Sequence, residues 1–316
     1  MAKAQFSIVI QALAAISVSW PWMASAGSSM SEHEIVGGDL VTDLSSFEYK
    51  HTVRLLVKGK LTGDDLPPSL KGLKLAWRCS AALLTQSVLV SAAHCFPRTM
   101  GYADPETGQL RRAQLSELNA EAFFKTDTRA DLPSGTKSQK IIVHEGFSDD
   151  WTNQVDDVWN PEKAINDIAI VKLAENAPAE KQPAVLLGAK ESPLSGNEAA
   201  TLAGYGRDVT DEQISIPRLR SVTIPLRESL RNKSEWYVGT GDLVRGGKVD
   251  RPGGGCQGDS GGPVFVKRPG GVRLVGLIVR GPDEQNGGCQ AAVTIATALP
   301  AYSNWINTQM SELSRP

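Results

Sequence analysis

Ser260 stands in Cys256-Gln257-Gly258-Asp259-Ser260-Gly261-Gly262-Pro263, and far upstream His94 stands in Ser91-Ala92-Ala93-His94-Cys95. A serine hydroxyl is a poor nucleophile at neutral pH unless a neighbouring base takes its proton. Flanking glycines let the backbone expose that hydroxyl and bring its N–H groups up to a developing oxyanion. His94 is the candidate base, because His33, His51 and His144 sit in no comparable context. The chemistry these residues could do is acyl transfer through a covalent serine.

A base of this kind needs a third group, a carboxylate that fixes the imidazole tautomer and stabilises its charged form. Many acids lie between His94 and Ser260. Asp167 stands out in Asn166-Asp167-Ile168-Ala169-Ile170-Val171-Lys172-Leu173, where an acid heads an apolar run and needs a partner if it is buried. The plainer reading is an aspartate capping a strand at a turn. Gly258-Asp259-Ser260-Gly261-Gly262 also satisfies the G-x-S-x-G pattern of lipases and esterases. Chain order separates the two readings. An α/β-hydrolase places its acid and histidine after the serine, and no histidine follows Ser260.

The elements that must position these groups read as short strands. Apolar runs at Val53–Val57, Ala81–Leu84, Val88–Val90, Ile141–Val143, Ile168–Val171, Ala184–Leu187 and Leu274–Val279 are broken by Gly, Pro, Asp and Asn. Many short strands with turns between them argue for an all-β barrel or sandwich. Tyr302, Trp305, Ile306, Gln309, Met310 and Leu313 recur at helical spacing after Pro300 and predict a docked C-terminal helix. Lys172–Pro183 changes character and predicts a linker between two halves.

Composition bounds the rest. The chain has 316 residues and a formal net charge of −2, which gives no electrostatic case for nucleic acid or an anionic membrane. No run reaches the ~18 apolar residues of a spanning helix. Lys3, the apolar run from Phe6 to Trp22, and Ala24-Ser25-Ala26 read as a signal peptide over residues 1–26. The expectation is export, either secreted or periplasmic. Four cysteines in an oxidising compartment favour disulfides and allow three connectivities. Pairing neighbours, Cys79 with Cys95 and Cys256 with Cys289, places one staple beside each reactive candidate. Each would contribute about 3–4 kcal/mol in the chain-entropy model. Zinc is the alternative, but there is no C-x-x-C spacing and no clustered histidine.

These segments resemble the trypsin/chymotrypsin family of secreted serine proteases. The resemblance rests on Ile35-Val36-Gly37-Gly38, the loop from Cys79 to Cys95, the Asn166–Leu173 run, Ala203-Gly204-Tyr205-Gly206, the Cys256–Pro263 segment and Trp305-Ile306. It implies two six-stranded antiparallel β-barrels, about 35–175 and 176–300, with the active site in their cleft. A helix at about 301–314 closes the chain. It further implies catalysis by His94, Asp167 and Ser260, with an oxyanion hole from the N–H groups of Gly258 and Ser260. Residues 27–34 would be an activation propeptide. A protease would cut after Glu34, and the new Ile35 amino group would pair with Asp259, since a buried carboxylate without a partner is costly. The expected partners are protein or peptide substrates and that activator. No cofactor, metal, nucleic acid or membrane span is expected, and the mature form would be a monomer. The competing reading is a catalytically silent homologue acting as a binding protein, but the serine, the histidine and the oxyanion glycine are all present.

The chain departs from the family around substrate. The floor of the specificity pocket, an aspartate in trypsins, is Gly254, followed by Gly255. One wall ends in Gly281, and the facing position is Thr294. An uncharged pocket favours apolar over basic side chains. Asp283 or Glu284 could still reach in. Val279 and Arg280 replace the family's Ser-Trp, which removes a donor from Asp167 and an apolar subsite wall. Arg280 is expected either in solvent or paired with acids of the Phe147–Ile165 segment, namely Asp149, Asp150, Asp156 and Asp157. That segment, with Trp151 and Trp159, is a surface loop or a subsite wall.

Overall fold

A computed structural model describes residues 35, 37–126, 135–147, 166–206, 217–230, 234–239, 253–281, 289 and 293–315. The first strand, β1 (Asp39–Leu40), is followed by a short helix, α1 (Phe47–His51), capped by the Ser46 hydroxyl. Then come β2 (Thr52–Thr62), β3 (Lys74–Thr85), β4 (Val88–Ser91), β5 (Thr99–Ala103), β6 (Leu110–Phe123), β7 (Thr136–Val143) and β8 (Ala169–Leu173). Six of them close in the order β2-β3-β4-β8-β7-β6 and back to β2, with β5 hung outside on β6.

Period-two patterning explains the closure. Leu55, Val57, Gly59 and Leu61 of β2 face inward, and Leu56, Lys58, Lys60 and Thr62 alternate with them. On the outer face Lys58 pairs with Glu121 and Lys60 with Glu117, both on the neighbouring strand β6. A closed ring leaves no open edge to pair with another chain.

The second half repeats the plan with β9 (Ala199–Gly204), β10 (Arg220–Leu230), β11 (Glu235–Gly239), β12 (Pro263–Arg268), β13 (Gly271–Arg280) and β14 (Val293–Ala298). Their order is β10-β11-β14-β13-β12-β9 and back to β10, with β1 on the outside of β10. The fold is therefore two closed six-stranded antiparallel barrels. The stretch before β2 belongs in space with the second. Ile35 is buried in that barrel's core with Leu202 and Ile224, β1 pairs with β10, and Tyr49 packs on Tyr205 and Leu219.

The other apolar runs lie in strands or, for Ile168, lead into one, but Ala184–Leu187 does not form a strand. Only Leu186 makes an isolated parallel bridge, to Leu274. The reason is its place in the connection between the barrels. Ala184 N–H donates to Leu83 of the first barrel, and Leu187 N–H to Leu274 of the second, so no single strand runs alongside it. The closing helix, Ser303–Leu313, follows a 3₁₀ turn at Leu299–Tyr302. It buries Ile306 and packs Trp305, Met310 and Leu313 on the cluster that fills the first barrel. The His144 ring meets Tyr302 edge-on and lies tilted against Trp305, and the Trp305 indole donates to Glu145.

Candidate active site

Antiparallel pairing of β4 with β8 sets Ser91 opposite Ala169. The residues just after β4 and just before β8 must therefore meet at the same end of the barrel. A 3₁₀ turn over Ala93–Cys95 follows β4 and presents His94, while Cys95 is tied to Cys79 of β3 by a disulfide. Asp167, two residues before Ala169, lies at that same end. Its Oδ1 accepts the His94 backbone N–H at 2.9 Å, and its Oδ2 is 2.7 Å from His94 Nδ1. Asp167 is 2% exposed. An ionised carboxylate only accepts hydrogen bonds, so Nδ1 carries the proton and Nε2 of the neutral ring keeps its lone pair as a base.

Neighbouring residues hold the aspartate. Asn166 takes a left-handed φ of 52°, a conformation asparagine tolerates. Its side chain bonds the Gly146 carbonyl and receives the Tyr302 hydroxyl at 3.2 Å. From the second barrel, the buried Thr297 hydroxyl donates to the Asp167 carbonyl at 2.9 Å. Val279, which stands where the family has serine, is buried in the apolar cluster.

Ser260 sits on the second barrel's side of the seam. A turn from Cys256 to Asp259 is closed by the Asp259 N–H on the Cys256 carbonyl at 3.0 Å. Its third residue, Gly258, has φ 94°, the left-handed backbone such a turn asks of glycine. Gly261 also has a left-handed φ, 80°, and a Cβ there would stand 2.1 Å from Ser91 Oγ and 2.4 Å from the Ser80 carbonyl. The nucleophile turn thus lies directly on β3 and β4. Ser80 N–H donates to the Ser260 carbonyl at 2.7 Å, and Cys95 Sγ lies 3.7 Å from the same oxygen. The serine and the His94–Asp167 pair, far apart in sequence, are brought to one seam. Cys256, which opens the turn, is bonded to Cys289.

Asp259 is fully buried and accepts N–H groups from Gly206 at 2.8 Å and Cys256 at 2.9 Å. Two glycines make its niche. A Cβ on Gly204 would be 2.2 Å from Asp259 Oδ1, and one on Gly206 2.6 Å from Oδ2. The Ala203-Gly204-Tyr205-Gly206 segment was visible as a motif, but this reason for its glycines was not.

Around the expected pocket, Gly254 is buried and forms an isolated bridge. Gly255 opens no space of its own, because a Cβ there would meet Ile278 Cγ2 at 2.7 Å. Its N–H donates to the hydroxyl of buried Thr294 at 2.8 Å, which ties the expected floor to one expected wall. Gly281 directly follows β13 and is exposed.

Arg280 is not solvated, and the acids before Asp167, its alternative expected partners, lie outside the described residues. It grips Glu235 of β11 through two bonds, Nη1–Oε1 at 2.7 Å and Nη2–Oε2 at 2.6 Å. Both side chains are buried, 8% and 2% exposed. Two parallel charge-assisted bonds satisfy charges that could not be buried singly. Glu235 was missed from sequence, although it heads the run Trp236-Tyr237-Val238 as Asp167 heads its own. The adjacent Tyr302 hydroxyl is pushed up to about 12, first by burial and then by the Glu235 charge. Asp149, Asp150, Trp151, Asp156, Asp157, Trp159, Asp283, Glu284 and Glu34 lie outside the described residues. Among the described residues, no helix is long and apolar enough to cross a membrane.

The family model described as Trypsin matches residues 51–306. Chymotrypsin-like elastase family member 1 of Canis lupus familiaris is 26% identical over 245 residues, covering 75% of this chain and 83% of the relative. Chymotrypsin-C of Bos taurus is 27% identical over 241 residues, covering 74% and 79%. Phenoloxidase-activating enzyme 1 of Spodoptera litura is 24% identical over 281 residues, covering 87% and 67%. With two closed barrels and a family match across both, the chain belongs to the trypsin family and is a serine endopeptidase.

Proposed function

We propose that the chain is an exported endopeptidase made as a zymogen, which cleaves peptide bonds through His94, Asp167 and Ser260. The observation that carries this reading is the buried carboxylate of Asp167 on His94 Nδ1, beside the turn that bears Ser260. In this mechanism Ser260 Oγ bonds to the scissile carbonyl carbon while His94 Nε2 takes the hydroxyl proton. The N–H groups of Gly258 and Ser260 receive the oxyanion. The tetrahedral species then releases the amine, which takes the proton from His94, and leaves an acyl-serine. Water hydrolyses the ester by the same route. Asp167 holds the ring and its positive charge throughout.

Activation by cleavage after Glu34 is supported by where its parts lie. Ile35 is buried in the second barrel, and Asp259 is buried on the same side of the seam. Substrates are proteins or peptides with an uncharged apolar residue before the scissile bond. Gly254 offers no anion, and an unpaired buried Arg or Lys would cost several kcal/mol.

The test expresses the protein beginning at Ile35 beside its Ser260→Ala and His94→Ala variants. Each variant should lose several orders of magnitude in kcat, with the residue of activity coming from binding and oxyanion contacts. Full peptidase activity in Ser260→Ala would falsify the triad. A precursor beginning at Gly27 that works as fast as the form beginning at Ile35 would refute the zymogen. Chromogenic peptides ending in Ala, Leu, Phe and Arg decide the pocket, and a dominant Arg preference would refute the apolar assignment.

A further inference from the structure

Ser80 is fully buried in β3 of the first barrel, yet its polar atoms are spent on the second barrel and on β4. Its N–H donates to the Ser260 carbonyl at 2.7 Å. Its hydroxyl donates to the Gly258 carbonyl at 3.0 Å and accepts the Tyr205 N–H at 3.0 Å. Its own carbonyl accepts the Ser91 hydroxyl at 2.8 Å. One first-barrel residue is thus bonded to both ends of Gly258-Asp259-Ser260 and to the residue between the two glycines that enclose Asp259.

We propose that Ser80 is a positioning residue whose hydroxyl sets the oxyanion-binding conformation of the nucleophile turn, an inference that rests on the serine mechanism above. Gly258 has no Cβ and an intrinsically broad choice of backbone angles. Oxyanion stabilisation depends on N–H groups that already point at the developing charge and need no reorganisation. The turn's closing bond, Asp259 N–H on the Cys256 carbonyl, leaves the Gly258 carbonyl to be oriented from elsewhere. The Ser80 hydroxyl does this, and it is itself held in place by the Tyr205 N–H. The backbone bond to Ser260 survives any substitution at position 80, so the hydroxyl is separable from the rest. Removing it lets Gly258 sample other conformations and weakens the site most where charge develops.

The experiment uses the form beginning at Ile35 and compares wild type, Ser80→Ala and Ser80→Cys, with active sites counted by burst titration. Ser80→Ala should lower kcat per titrated site about tenfold with KM changed little, the pattern of an interaction made in the transition state. Ser80→Cys, a weaker donor of similar shape, should fall between the two. A peptide aldehyde adds Ser260 Oγ to its carbonyl carbon, passes the hydroxyl proton to His94 and leaves negative charge on the former carbonyl oxygen. Its affinity should weaken in step with kcat, whereas the matching peptide alcohol should bind as before. If Ser80→Ala only melts earlier or yields fewer titratable sites, with kcat per site and aldehyde affinity unchanged, Ser80 is structural and the proposal is wrong. Ser260→Ala run in parallel separates the two levels. Wild-type turnover there overturns the serine mechanism itself, whatever Ser80→Ala does.

Discussion

Gly204 and Gly206 owe their identity to one carboxylate. Each faces Asp259 so closely that a methyl group would overlap its oxygens. Gly204→Ala should push Asp259, and with it the neighbouring Ser260, out of place. A displacement on the 1 Å scale costs about 100-fold in rate, so kcat/KM should fall by roughly that much while the barrels still fold, as judged by far-UV circular dichroism. The Arg280–Glu235 pair makes a second prediction at this scale. Glu235→Ala strands a buried guanidinium and should cost about 3–5 kcal/mol in urea unfolding. The double variant Arg280→Met with Glu235→Leu should cost less, because no charge is left unpaired.

Helix α1 and the connection between the barrels are joined by a buried lysine. Lys181 is fully buried, and its amino group donates to the carbonyls of Tyr49 and Thr52 and lies 3.7 Å from the centre of the Tyr49 ring. His51, on the same helix, bonds the Gln182 carbonyl, and its own imidazole is held below its usual range mainly by burial. Burial pushes Lys181 down to about 7, with the Glu180 charge pulling weakly the other way. The folded state therefore disfavours the charged amine. Between pH 7 and the ordinary lysine value of 10.5 the unfolded chain binds more protons than the folded one, and stability rises with pH from this group. Lys181→Met should flatten that rise by up to one proton, roughly 1.4 kcal/mol per pH unit. Urea unfolding at steps from pH 6 to pH 10 measures it. Parallel slopes in the two proteins would show that the amine titrates as it does in the unfolded chain.

At the scale of the molecule, the site exists only because two barrels are held in register. The ring that carries His94 and Asp167 contributes Ser80 to the nucleophile turn, and the ring that carries Ser260 returns Thr297 to the Asp167 carbonyl. Thr297→Val keeps the shape and deletes that donor, leaving a buried carbonyl short of a partner. It should cost about 1–3 kcal/mol of stability in urea unfolding. It should also slow kcat more than it raises KM, since Asp167 is anchored through the same atom. A loss of stability with unchanged kcat would confine Thr297 to a structural role.

Much of this was legible in consecutive residues. Strand runs such as Val88–Val90 are marked by continuous apolar, β-branched composition, and the closing helix announces itself by the spacing of Tyr302, Trp305 and Ile306. The glycines around Ser260 and the order histidine, acid, serine are likewise local or one-dimensional facts. What the sequence could not determine were partnerships between distant strands. Arg280 meets Glu235 only because β13 and β11 both flank β14, and Ser80 meets Gly258 only because β3 faces the seam. Ala184–Leu187 has the composition of a strand but lies between two barrels that each take one of its backbone bonds. Side-chain type sets which face is buried. Ring closure, through the register of strands remote in the chain, decides who waits on that face.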